Sequence, residues 1–290
     1  MKSNILKLVY RINTILKVTG VENLKFVRDL KYKGKRFIMR VLAPNNLLLL
    51  KVNGLSMYIR TNTSAFSEYF LQPFEPYTTE LFKKAIKPGA RVIDIGAQFG
   101  YYSLLAAKQM GQAGEVYAFE PVPSNFELLT RNIKMNGYTN IIHRIQKAAG
   151  DKRREVSIFV YKDSDSHGMY PRPTAYVKEA ISVECITIDE FFGGKPVDVI
   201  KMDIEGSEPY ALEGMKQTIT KNANLILFTE FAPAFLRLAG IKAEDYLKQL
   251  ESLGFHVQLI DEHSRCLSPV IKEKDEPFWY ANLYCTKGRF

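Results

Sequence analysis

The chain has 290 residues, 46% of them hydrophobic and 24% charged, a composition that excludes a disordered polymer or a bundle of membrane spans. Its 40 Lys and Arg against 31 Asp and Glu give a net charge of +9. Residues 1–40 carry eleven of the basic residues and two of the acidic ones, the whole of that surplus, so a basic N-terminal segment precedes a neutral body.

The first expected element is an amphipathic helix over residues 4–18. Ile5, Leu8, Val9, Ile12, Ile15 and Leu16 recur at helical spacing, with Lys7, Arg11 and Thr14 opposite and Gly20 as the stop. Its basic residues do not suit the apolar stretch of a signal peptide, and no run reaches the roughly 18 apolar residues of a membrane span. Strands are expected at 35–42, 47–52 and 56–60, with Asn53-Gly54 as a hairpin turn between the last two. Residues 1–75 therefore read as a basic helix plus a small α+β cap. Residues 76–290 alternate strand and helix. Helices are expected at 78–85, 99–110, 122–136, 207–220 and 243–253. Strands are expected at 91–95, 115–119, 141–146, 197–202, 224–230, 255–260 and 279–286, with a two-strand excursion at 155–161 and 181–187. This rhythm implies an α/β, Rossmann-like, doubly wound and mostly parallel sheet. Cys185, Cys266 and Cys285, far apart and without a C-x-x-C pair, form neither a zinc framework nor a disulfide scaffold and fit a reducing, cytoplasmic setting.

The most specific feature is Asp94-Ile95-Gly96-Ala97-Gln98-Phe99-Gly100, placed between a strand and a helix. Glycines there let the backbone bend and a ligand approach closely. A dinucleotide loop has a second glycine where this chain has the bulky Gln98, so a ligand with an adenosine but no phosphate fits better, and S-adenosyl-L-methionine is one. Glu120 ends the next strand, about 20 residues past the loop, where an acid accepts hydrogen bonds from ribose hydroxyls. Asp94 is placed to reach a methionine ammonium.

The segments carrying these residues resemble FkbM-family methyltransferases. The resemblance rests on Lys87-Pro88-Gly89-Ala90-Arg91-Val92-Ile93-Asp94-Ile95-Gly96-Ala97-Gln98-Phe99-Gly100, on Phe119-Glu120-Pro121, and on Lys201-Met202-Asp203-Ile204-Glu205-Gly206-Ser207-Glu208 with Leu212-Glu213-Gly214 behind it. It implies a class I methyltransferase fold, dependence on S-adenosyl-L-methionine, and O-methylation of a sugar, glycan or related secondary metabolite. Gln98 stands where the family usually has asparagine, a longer amide with the same hydrogen-bonding groups. Cofactor contacts are expected from Asp94, Gly96, Ala97, Gln98, Gly100, Glu120, Pro121, Ala148 and Asp203.

Methyl transfer to a neutral hydroxyl needs positioning and a base or metal to take up the proton. Asp203, Glu205 and Glu208 are close enough in sequence to raise one another's pKa, which suits a base. The same cluster has oxygens for a divalent metal at Asp203 and Glu230. Acids entering the first turn of a helix are also simply favoured by its dipole. Lys201 is expected to pair with Asp203, on the same side of its strand. In related sequences the polar segment 163–171 lies over the acceptor side, so the resemblance implies His167 as a further candidate base or substrate contact, against the plainer reading of a surface-loop histidine with no task. Tyr69, Phe70, Phe74 and Tyr77 precede the core and are candidate apolar walls for a sugar ring or simply core residues.

Residues 1–20 suit either docking on protein, including a second copy of the chain in a homo-oligomer, or peripheral contact with the inner surface of a membrane. A nucleic-acid methyltransferase anchored by the basic arm is the second reading, weakened by the neutral body. A catalytically silent methyltransferase-fold scaffold is the third.

Overall fold

The computed structural model describes residues 43, 45–63, 69, 73–162, 164–173, 175–270 and 279–287. The expected helix 4–18 and strand 35–42, together with Asp163 and Phe70, lie outside the described residues. The chain divides after Phe74 into two units, each described by itself. In the first, β1 (Leu47–Val52) and β2 (Leu55–Arg60) form an antiparallel hairpin. Asn53 and Gly54 take φ 51° and 76°, as a two-residue hairpin turn demands. Leu48, Leu50, Leu55, Met57 and Ile59 are buried, the alternate residues of each strand.

The second unit opens with α1 (Pro76–Ala85), followed by β3 (Arg91–Ile95), α2 (Tyr101–Met110), β4 (Glu115–Phe119), α3 (Pro123–Met135) and β5 (Ile142–Ile145). Next come β6 (Ala148–Ala149), β7 (Arg154–Tyr161), β8 (Val177–Ile186) and α4 (Ile188–Phe192). The chain continues with β9 (Val199–Met202), α5 (Glu208–Glu213), α6 (Lys216–Lys221), β10 (Ile226–Phe231), α7 (Pro233–Leu238) and α8 (Ala243–Ser252). It closes with β11 (His256–Asp261), β12 (Cys266–Ser268) and β13 (Ala281–Thr286).

The main sheet has the order β12-β11-β13-β10-β9-β3-β4-β5, parallel from β10 through β5. β13 is antiparallel to both β10 and β11 and lies between them. The chain runs outward from β3 to β5 and then returns to β9 on the other side of β3, so β3 and β9 flank the switch point where α/β sheets bind ligands. The central strands are apolar because helices cover both faces. Strand pairing aligns side chains in rows: Ile93, Ile200, Leu227 and Cys285 form one, and Asp94, Lys201, Phe228 and Tyr284 the next, on the opposite face. Phe82 and Tyr102 cover the second row, edge-on to one another at 4.9 Å between ring centroids.

The excursion after β5 is a separate sheet of order β6-β8-β7, with β8 starting at Val177, earlier than expected. The helix expected over 207–220 is two helices, broken at Gly214-Met215. A Cβ on Gly214 would lie 1.9 Å from the Gly150 carbonyl oxygen, so the chain must turn there to bring two backbones together. Asp189 then starts α6 by accepting the backbone N–H groups of Gln217 and Thr218 at 2.9 and 2.7 Å. The short α4, α7, β6 and β12 were not expected; none is long enough to show a period.

Gly214→Ala should therefore lower unfolding stability by roughly 2–3 kcal/mol through forced displacement of packed backbone. A urea titration of both proteins measures it; an unchanged midpoint would contradict the close approach.

Candidate active site

The turn after β3 is tied to β4 by its own backbone. The N–H groups of Gly96 and Ala97 both donate to the Phe119 carbonyl, at 3.0 and 2.9 Å. Gly96 has φ +85°, and a Cβ there would fall 2.0 Å from the Asp203 carbonyl oxygen. Only glycine meets both demands. Gln98 also has positive φ, 52°, an unfavourable conformation for a side chain of this size. Its N–H donates to Glu120 Oε2 at 2.8 Å, while the Val122 N–H donates to Oε1 at 2.9 Å. Glu120, 4% exposed, thus holds both strand-to-helix turns. It is the backbone of Gln98 that meets this carboxylate. Gly100, φ +96°, starts α2. Pro121 is half-buried beside Glu120. Ala148 is buried on β6, just past the β5 end, where the Ile145 carbonyl accepts the Glu120 N–H at 3.1 Å.

A buried polar network lies under the turn. Asp94 accepts the Ser103 hydroxyl at 2.6 Å. Burial pushes its carboxyl up to about 6, against the opposing pull of Ser103 and Lys201. Lys201, 1% exposed, donates from Nζ to Asp203 Oδ2 at 3.1 Å, the expected pair, and to Asn282 Oδ1 at 3.3 Å. Its ammonium stands 5.1 Å from the centre of the Tyr102 ring. Burial alone would draw the Lys201 pKa down, but Asp203 and Glu75 hold it above its ordinary value. Asn282 Nδ2 donates to Glu75 Oε1 at 2.8 Å, and the Tyr102 hydroxyl donates to Glu75 Oε2.

The turn after β9 separates the three clustered acids into different tasks. Glu208 accepts the Ile204 N–H on Oε1 at 2.8 Å and the Gly206 N–H on Oε2 at 2.9 Å, so both oxygens staple the turn. Gly206, φ +94°, must lack a side chain because a Cβ would come within 2.5 Å of the Phe235 carbonyl oxygen. Glu205, φ 58°, lies 2.8 Å from Arg172 Nη2. The Arg172 guanidinium is held between the rings of Tyr161 and Phe235, 4.9 and 4.5 Å from their centres. Burial pushes the Glu205 carboxyl up to about 7; Arg172 opposes this and Asp203 adds to it. Burial likewise pushes Glu208 up to about 8, against the opposing pull of the Ile204 N–H and its own N–H.

The polar segment between β7 and β8 reaches this turn. A Cβ on Gly168 would lie 3.3 Å from Glu205 Cβ, and the Asp165 carbonyl accepts Asn125 Nδ2 at 3.0 Å, linking the segment to α3. His167 Nδ1 accepts the Tyr161 N–H at 3.3 Å, so that nitrogen serves its own hairpin. Glu230, buried at the end of β10, has no hydrogen-bond partner at Oε2. Burial, then the charges of Asp203, Glu205 and Glu208, raise its carboxyl well above the ordinary range. Among the described residues, no group of three or more His, Cys, Asp or Glu side chains is placed to hold a metal ion. Glu75, Tyr102, Arg172 and Asn282 escaped the sequence reading, because their partners are distant along the chain.

A model of the FkbM methyltransferase domain matches residues 94–257, spanning the glycine turn, Glu120 and the acidic turn after β9. The chain belongs to the FkbM methyltransferase family. Its sheet order is that of the class I methyltransferase fold. The chain is 38% identical over 56 residues to a protein-L-isoaspartate O-methyltransferase from Aeropyrum pernix, covering 19% of this chain and 22% of that enzyme. It is 22% identical over 177 residues to methyltransferase sdnD from Sordaria araneosa, covering 50% of this chain and 68% of that protein. The crystal structure of an FkbM methyltransferase from Methylobacillus flagellatus superposes with a TM-score of 0.44 at 17% identity, covering 71% of this chain and 50% of that one.

The raised acids of this FkbM site set a pH dependence. Asp94, Glu205 and Glu208 bind protons more tightly when folded, at about 6, 7 and 8, than their ordinary values of 3.8, 4.5 and 4.5. Their contribution to stability is complete below about pH 4 and lost as pH rises through about 8. Urea midpoints at about pH 5 and pH 9 should therefore fall less in Glu208→Gln than in wild type. An equal fall would contradict the shift at Glu208.

Proposed function

We propose that this family member is an S-adenosyl-L-methionine-dependent O-methyltransferase acting on a hydroxyl of a sugar, glycan or related secondary metabolite. The observation that carries the reading is the pinned Glu120 carboxylate beside the Gly96 turn, which presents two acceptor oxygens where a ribose would lie. The donor set fits the cofactor: Glu120 for the ribose, Asp94 and Asp203 for the amino-acid end, and the turn backbone of Gly96 to Gly100 against the adenosine. When bound, S-adenosyl-L-methionine supplies an electrophilic methyl group on a sulfonium.

The chain's own part is then to orient the acceptor hydroxyl and take its proton. Glu205 suits the base: its carboxyl is poised near 7, with the Arg172 guanidinium beside it. Glu208 is committed to the turn and His167 Nδ1 to its hairpin, which favours Glu205 over both. The isoaspartate and sdnD matches are to methyltransferases, the former named for transfer to oxygen.

Calorimetry should show S-adenosyl-L-methionine binding by wild type, weakened about a hundredfold in Glu120→Ala. No binding by wild type would overturn the proposal. With labelled methyl donor and a panel of glycans, small alcohols and RNA, label is expected in a hydroxyl compound; label confined to RNA would refute the acceptor class. On the substrate found, kcat/KM should rise with pH to a plateau above about 7, and Glu205→Gln should remove that limb.

A further inference from the structure

We propose that Glu75, Asn282 and Lys201 are positioning residues that fix the Asp203 carboxylate as receptor for the ammonium at the amino-acid end of the cofactor. This rests on the cofactor assignment above and adds residues that touch neither the methyl group nor the acceptor. The Lys201 ammonium is directed by Asp203, by Asn282 and by the face of Tyr102. Asn282 uses both ends of its amide: Oδ1 accepts from Lys201 while Nδ2 donates to Glu75. A flipped amide would set its NH2 against the ammonium, so the Glu75 carboxylate determines which way Asn282 faces. Glu75 is in turn fixed by the Tyr102 hydroxyl on its other oxygen.

Each link is therefore oriented by the next, and the open end is Asp203. Its side chain is 33% exposed whereas that of Lys201 is 1% exposed, and Lys201 engages Oδ2. The Asp203 main chain abuts Gly96, which places this carboxylate at the rim of the cofactor turn. Asp94 is the register partner of Lys201 on the neighbouring strand β3. Burial raises the carboxyls of Glu75 and Asp94, whereas Asp203 is the partly exposed acid beside the lysine, so a positively charged ligand end is favoured at Asp203.

The test compares S-adenosylhomocysteine with 5′-methylthioadenosine, two neutral thioethers that share the adenosine and differ by the amino-acid end. Calorimetry on the full chain should show Asn282→Ala weakening S-adenosylhomocysteine about tenfold and 5′-methylthioadenosine by less than about twofold. Asp203→Asn should show the same selectivity at least as strongly. Tyr102→Phe, which removes one hydroxyl from Glu75, should weaken S-adenosylhomocysteine selectively by about threefold and serves if Asn282→Ala does not fold. A merely structural role would weaken both ligands alike; equal weakening, or none, would overturn the relay alone. Wild type that binds neither ligand would overturn the cofactor assignment and the relay with it.

Discussion

A lysine in the middle of a parallel sheet is the constraint around which this site is built. Lys201 stands in a strand whose neighbours are Ile200 and Met202, with its ammonium out of reach of water. An unpaired charge there costs several kcal/mol. The chain answers with a carboxylate two residues later, just past the end of the strand, an amide from β13, and an aromatic face from α2. Removing any one partner exposes the charge to the low-dielectric interior, so the positions of three elements are tied to one side chain.

The acids at the carboxyl edge of the sheet are alike in sequence and unlike in task. Glu120 braces two turns, Glu208 spends both oxygens on its own turn, and Glu205 is paired with an arginine that two rings flank. Asp94 takes a serine hydroxyl. Burial raises the pKa of Asp94, Glu205 and Glu208, and the hydrogen-bond partners then decide which carboxyl stays available for chemistry.

Much of this was legible in the residues. Apolar runs such as Arg91–Ile95 and Val199–Met202 mark central strands, and the spacing of Asp94, Gly96, Gly100 and Glu120 places the turn and the acid that faces it. The Lys201–Asp203 pair follows from strand alternation alone. What stayed hidden depends on contacts across the fold. Asn282 is one polar residue in a late strand, and Glu75 precedes a helix; nothing local joins them, since 207 residues separate them. Arg172, between Pro171 and Pro173, reads as loop chemistry until Tyr161 and Phe235 close on it. Glu208 reads as a helix-dipole acid, and only the left-handed backbone at Glu205 and Gly206 turns the N–H groups of Ile204 and Gly206 toward its carboxylate.

The antiparallel insertion of β13 between β10 and β11 has a consequence for the order of assembly. The parallel strands β3, β4, β5, β9 and β10 are all in place in the chain before β13 is made, yet Lys201 lacks its amide partner until that strand docks. During synthesis the glycine turn and Glu120 can form from sequence already emerged, while the network beneath Asp203 waits for residue 282. The adenosine half of the pocket is thus complete early, whereas Lys201, already paired with Asp203, gains the amide that orients it only when the final strand docks.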